Sequence, residues 1–74
     1  MSTLLGRVGK RLRALRARRG WSQEKLAEQS DLHPTYIGGI ERGLRNPSLL
    51  SLVKLARALN LSLAELLRIP GNLE

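Results

Sequence analysis

Seventy-four residues, thirteen of them Lys or Arg against six Asp or Glu, carry a net charge of +7 in a chain sized for one domain with a thin core, about 60% of its unfolded surface being buried. The absence of cysteine excludes disulfides and thiolate metal sites. No apolar run nears the ~20 residues that span a bilayer, and Arg7, Lys10 and Arg11 interrupt the stretch a signal peptide would need. A soluble, cytoplasmic chain with no membrane partner is therefore expected, spanning 1–74 as a single domain. Seven of the thirteen basic residues fall between Arg7 and Arg19, which suggests a polyanionic partner or simply a solvated face. With Trp21 and Tyr36 the only aromatics, stacking platforms for single strands or RNA cannot be built, so double-stranded DNA is favoured.

The periodicity predicts five short helices and no strands, an all-α fold. In the first, about 4 to 18, Leu5, Val8, Leu12 and Leu15 form one apolar stripe with most basic residues off it, and Gly20 supplies the stop. Ser22 caps a second helix reaching about Ser30, with Leu26 and Ala27 inward. His33 and Pro34 open a third, which buries Ile37 and Ile40 and ends before Gly43. After the Asn46-Pro47 turn, Ser48 caps a fourth whose stripe is Leu49, Leu52, Val53, Ala56 and Leu59. Ser62 and Glu65 form a capping box on the fifth (62–68), which carries Leu63, Leu66 and Leu67 before Pro70-Gly71 closes the domain.

Helices two and three with their turn, residues 22 to 42, have the length of a helix-turn-helix unit. Ala27 is small where two steeply crossing helices would touch, and Asp31 stands in the turn where a left-handed residue is needed. Generic helical hairpins share this spacing. Arg16 lies four residues after Leu12 and Glu41 four after Ile37, so both charges sit beside core-facing stripes. Such charges are tolerated when paired, which predicts an Arg16–Glu41 ion pair, unless each snorkels to water alone. His33 lacks companion ligands for a metal, and no nucleotide-binding loop or nucleophile–base set is present, so no metal, cofactor or enzyme activity is expected. Trp21 reads as a core residue. Gly38 and Gly39 stand mid-helix, either for close approach to a groove or for packing against a neighbour.

The set Leu12-Arg13-Ala14-Leu15-Arg16, Gly20-Trp21-Ser22-Gln23-Glu24, Leu26-Ala27, Tyr36-Ile37, Ile40-Glu41-Arg42-Gly43 and Asn46-Pro47-Ser48-Leu49 resembles the Cro/phage-repressor class of helix-turn-helix regulators across roughly residues 5 to 67. The stretch from Thr35 to Leu49 is most similar to controller proteins of restriction–modification systems. The resemblance implies a compact five-helix lambda-repressor-like fold. It implies a DNA-binding set of Ser22, Gln23, His33, Thr35, Tyr36, Gly39, Arg42, Arg45 and Asn46. Gln23 would meet a phosphate at a helix amino terminus; Thr35, Tyr36 and Gly39 would face the major groove; Arg42, Arg45 and Asn46 would follow along the backbone. The Arg16–Glu41 pair is also a class feature. Controllers often carry Arg where this chain has Pro34, which cannot donate to guanine, so base reading falls to Thr35, His33, Arg45 and DNA shape.

One recognition helix reads too few base pairs for a genomic target, which implies a homodimer on a symmetrical operator. Its expected surface is Leu61, Leu63, Leu66, Leu67 and Ile69. The function the resemblance implies is transcriptional regulation as a restriction–modification controller, with RNA polymerase a further candidate partner. A phage-type or antitoxin-type repressor and, from a different class, a protein-interaction adaptor remain alternatives.

Overall fold

The computed structural model describes residues 3–69. Among them are five helices and no strands: α1 (Leu4–Arg18), α2 (Gln23–Ser30), α3 (Pro34–Glu41), α4 (Leu49–Ala58) and α5 (Leu63–Leu66). Pro70-Gly71, expected to end the domain, lies outside the described residues. α5 is shorter than its expected span, and Leu67 already closes it by donating to the Leu63 carbonyl. The residue before a proline disfavours the α conformation, so Ile69 has no reason to extend the turn.

Each helix starts at a side chain that accepts an amide of its own first turn: Thr3 from Gly6, Ser22 from Lys25, His33 from Thr35, Ser48 from Ser51 and Ser62 from Glu65. The Ser62–Glu65 box is reciprocal, and the bond from the Ser62 amide holds the Glu65 carboxyl below its ordinary range. The helix ends are equally regular. Gly20, Asp31, Gly43 and Asn60, with φ between 57° and 73°, reverse the chain after α1, α2, α3 and α4. After α3 the Gly43 amide bonds Ile40 O at 3.0 Å and the Leu44 amide bonds Gly39 O at 2.9 Å, the paired bonds that satisfy a helix's last carbonyls.

The core joins Leu12 and Leu15 of α1, Leu26 and Ala27 of α2, Ile37 and Ile40 of α3, Leu55, Ala56 and Leu59 of the α4 segment, and Leu66 of α5. Two expectations change here. α4 turns Leu55 inward and leaves Leu49 67% exposed; its sequence LLSLVKLARA is apolar around most of its circumference, so periodicity alone permits more than one facing. Leu66, assigned from the sequence to a dimer surface, is 2% exposed and belongs to the core.

α1 crosses α3 at Gly9. A Cβ there would strike the backbone carbonyls of Ile40 and Glu41, which cannot move without distorting the end of α3. In an unobstructed helix Gly→Ala gains about 0.5–1 kcal/mol, whereas overpacking loses about 1–3. Gly9→Ala is therefore expected to destabilise by about 1–2 kcal/mol, lowering the thermal midpoint by roughly 4–8 °C for each kcal/mol. An unchanged or raised midpoint in a circular-dichroism melt would show that α1 does not lie this close to α3.

Candidate nucleic-acid interface

The site is built around Arg16. Its Nε donates to Glu41 Oε2 at 2.7 Å, its Nη2 to Glu41 Oε1 at 2.9 Å and its Nη1 to the Trp21 carbonyl at 2.8 Å. The Arg16 and Glu41 side chains are 15% and 3% exposed. Hydrogen bonding by Glu41 raises the Arg16 pKa above its ordinary value despite the opposing effect of burial. Gln23 Nε2 also donates to Glu41 Oε1, at 3.1 Å. One guanidinium thus connects α1, the segment leading into α2, and the last residue of α3, with the first residue of α2 bonded through the shared carboxylate.

Several of the residues expected to meet DNA are held by bonds within the fold. Ser22 caps α2 with its hydroxyl, and Gln23, read as a phosphate ligand, has its amide nitrogen turned to Glu41. His33 caps α3 through Nδ1, 3.1 Å from the Thr35 amide. Thr35 is exposed beside a shallow cleft that Gln23, Glu24, Pro34, Gly38 and Arg42 complete. Tyr36 is half-buried against the core, and its hydroxyl accepts the Ser48 amide at 3.3 Å, so it braces the loop after α3. Arg42, Arg45 and Asn46 are exposed. Gly39, expected to face the groove bare, is buried: its missing Cβ would lie 2.5 Å from Arg45 Cγ. Gly38 is covered likewise by Arg42 and Gln23. In the structure both glycines lie under long side chains rather than against the backbone of a neighbouring helix.

The dense basic stretch of α1 also reads differently in three dimensions. Arg11 Nη2 donates to Glu65 O at 2.7 Å, and Arg19 Nη2 donates to Leu59 O at 2.8 Å while its guanidinium lies 5.0 Å from the Trp21 ring centre. With Arg16, these arginines fasten α1 to the rest of the fold. Their partners have no signature in the sequence, because backbone carbonyls are the same in every residue.

Apolar surface extends beyond the predicted dimer set. Leu61 and Leu63 pack partly against the core, and Leu67 and Ile69 line an apolar cleft of about 230 Å³ with Leu4, Leu5, Val8, Pro47 and Leu52. Among the described residues the exposed large apolar side chains are Leu44, Leu49 and Leu50, 65–70% accessible, and Leu4.

A helix-turn-helix family model matches residues 12–66. The chain belongs to the helix-turn-helix family. It is 47% identical over 64 residues to the control protein C.SmaI of Serratia marcescens, covering 86% of this chain and 76% of the relative. It is 47% identical over 60 residues to the control protein C.BamHI of Bacillus amyloliquefaciens, covering 80% and 74%. Its structure matches the restriction–modification controller C.AhdI of Aeromonas hydrophila with a TM-score of 0.82 at 52% identity, over 84% of this chain and 94% of the other. It also matches the controller C.Esp1396I, solved as a tetramer on its natural 35 base-pair operator, with a TM-score of 0.77 at 40% identity over 84% and 82%. This helix-turn-helix protein is thus a DNA-binding transcription regulator of the controller type.

Removing one partner of the Arg16–Glu41 pair leaves a desolvated charge, which costs about 3–5 kcal/mol. Glu41→Ala and Arg16→Ala are each expected to lower the urea midpoint, and the double variant should fall short of their sum by about 0.5–3 kcal/mol. Strict additivity would mean that the two side chains do not interact.

Proposed function

We propose that this protein binds a symmetrical double-stranded operator as a homodimer and controls transcription of a restriction–modification system, acting by binding and without a catalytic step. The observation that supports the reading is the cleft in which Gln23 at the amino terminus of α2 meets Thr35 and Arg42, with Gln23 bonded to the Glu41 carboxylate that Arg16 also holds. The amides that open α2 and their positive dipole end suit a phosphate oxygen. Arg42 and Arg45 supply counter-charge on the same side. A protein working in this way belongs in the cytoplasm, and RNA polymerase is the further partner that an activating role requires.

Dimerisation serves two ends at once. It sets two recognition helices about 34–36 Å apart, one turn of the duplex, and it covers apolar surface. Leu49 and Leu50, at the start of α4, are the strongest contributors, with Leu44 close by in sequence and Leu67 and Ile69 beside the cleft. Leu66 drops out of that surface because the core already buries it.

Selection of bound duplexes from a random pool is expected to return an inverted repeat whose affinity falls steeply with salt, with a log–log slope of about −0.9 per phosphate neutralised. The double variant Leu49→Ser, Leu50→Ser is expected to sediment as a monomer at micromolar concentration and to lose binding to the full repeat. A pool returning no consensus would overturn the operator reading, and a wild type that sediments only as monomer would overturn the dimer.

A further inference from the structure

α1 carries part of its basic charge away from α3. Gly9 meets the end of α3, and Arg7 and Arg11 each stand two residues from Gly9, about 200° around the helix. Residues so spaced point to opposite faces, so both arginines lie on the side of α1 remote from the recognition helix. There, with Lys10, Arg68 and Ile69, they line a cleft of about 220 Å³. Four of the five lining residues are cations and none is acidic. Glu65, which feels the charge of Arg68 and Arg11, has its carboxylate bonded to the Ser62 amide at 2.9 Å and is not part of the lining. Arg11 is held in place, its Nη2 donating to the Glu65 carbonyl at 2.7 Å. Its Nε is buried with no hydrogen-bond acceptor among the described residues. Buried donors in native folds are nearly always satisfied, so this one calls for an acceptor that those residues do not supply. A merely solvated face spreads its cations into water. Here α1 and the segment after α5 bring theirs from opposite ends of the chain to one concavity, where like charges reinforce one another's field.

We propose that this cleft is a second anion site, taking a phosphate-bearing ligand on the side of the protein away from the operator. The charge sets the ligand class. A carboxylate brings one negative charge, whereas a phosphate monoester brings about −1.5 to −2 and three acceptor oxygens, which suits several converging cations. Guanidinium forks match phosphate oxygens in pairs, and Ile69 with the arginine stems supplies apolar walls. Such phosphate comes either free, as a small polyphosphate, or from the backbone of duplex passing behind the domain. The site is separate from the face proposed for the operator, so its test runs with and without DNA.

The thermal midpoint of the full chain is measured in pyrophosphate and in chloride at matched ionic strength. Pyrophosphate is expected to raise it saturably, by roughly 6–11 °C at ten times the apparent dissociation constant. The double variant Lys10→Gln, Arg68→Gln, both exposed positions, should lose the rise and keep the chloride midpoint. Arg42→Gln should retain the rise in full, as should wild type saturated with the duplex it selects. Lengthening the flanks of that duplex separates the two sources. A salt slope that steepens in wild type and not in the double variant assigns the cleft to DNA backbone, and an unchanged slope assigns it to a free polyphosphate. The proposal is overturned if pyrophosphate protects no better than chloride, or if the double variant keeps the rise. It is overturned equally if bound operator abolishes the rise, which would place the phosphate on the DNA-facing side, or if polyglutamate displaces pyrophosphate at equal charge, which would give the cleft to an acidic protein. A wild type that binds no duplex would remove the operator reading and leave the pyrophosphate comparison intact.

Discussion

The guanidinium of Arg16 is bonded through all three of its nitrogens, and the placement of the helix-turn-helix elements α2 and α3 depends on that contact. α2 and α3 have eight residues each, well below the about 12–15 at which an isolated helix holds together in water. Their structure therefore comes from what they pack against. The apolar core supplies most of that stabilisation, but burial has no direction, and a small set of leucines and isoleucines permits short helices to slide or roll. The bidentate pair removes that freedom, because a fork meeting a carboxylate tolerates one orientation. Its net energy is small, since desolvation offsets most of the attraction. Its consequence is geometric: the start of α2 and the end of α3 are referred to the same atom group.

That contact in turn needs α1 to lie nearly in touch with α3. Gly9 makes this possible, as its hydrogen faces the Ile40 and Glu41 carbonyls where any side chain would collide. Gly43 does the corresponding work just after α3. With φ at 73° it turns away from α3, and its own α-carbon approaches the Gly6 backbone, to which a Cβ would come within 3.0 Å. α1 and the end of α3 therefore meet backbone to backbone near both Gly6 and Gly9. A regulator with a larger residue at Gly9 would have to hold its two helices further apart, and Arg16 would then reach Glu41 at a different angle or not at all.

What the sequence made legible were features that depend on local chemistry. Ser22, His33, Ser48 and Ser62 announce helix starts because a short acceptor side chain before an apolar run has few other uses. Gly20 and Asp31 announce reversals because few residues accept a left-handed conformation; Asn60 does the same at the end of α4 and could have been read in the same way. Arg16 and Glu41 stood out because each interrupts an apolar face. The facing of α4 was not legible, since Leu49, Leu52, Val53 and Leu55 offer overlapping stripes and only the position of the other helices selects among them. Gly6 and Gly9 were passed over within α1, although two glycines three apart in a helix are a signal in themselves: each lowers helix stability, so some close contact has to compensate. The roles of Arg11 and Arg19 were beyond reach, because their acceptors are carbonyls that carry no residue-specific mark.

The covering of Gly38 and Gly39 changes how the recognition surface must be understood. A helix that bears its own reading side chains presents them from Cα atoms already fixed by the backbone. Here much of the surface belongs to Arg42, Arg45 and Gln23, long side chains lying over bare backbone, and such side chains lose up to about 1.5–2 kcal/mol of rotamer freedom when held in one place. If that ordering occurred only on contact with DNA, each would subtract from affinity. The fold removes part of the loss in advance: Gln23 is bonded to Glu41, Arg42 caps α3 and lies along Gly38, and the loop bearing Arg45 is pinned at Gly39 by the Leu44 amide and braced by Tyr36 at Ser48. The two glycines give up helix propensity, about 0.5–1 kcal/mol each relative to alanine, and in exchange the arginines are partly ordered before the duplex arrives. The helix propensity lost in α3 is offset by burial of its apolar face, where Ile37 and Ile40 are 0% and 1% exposed.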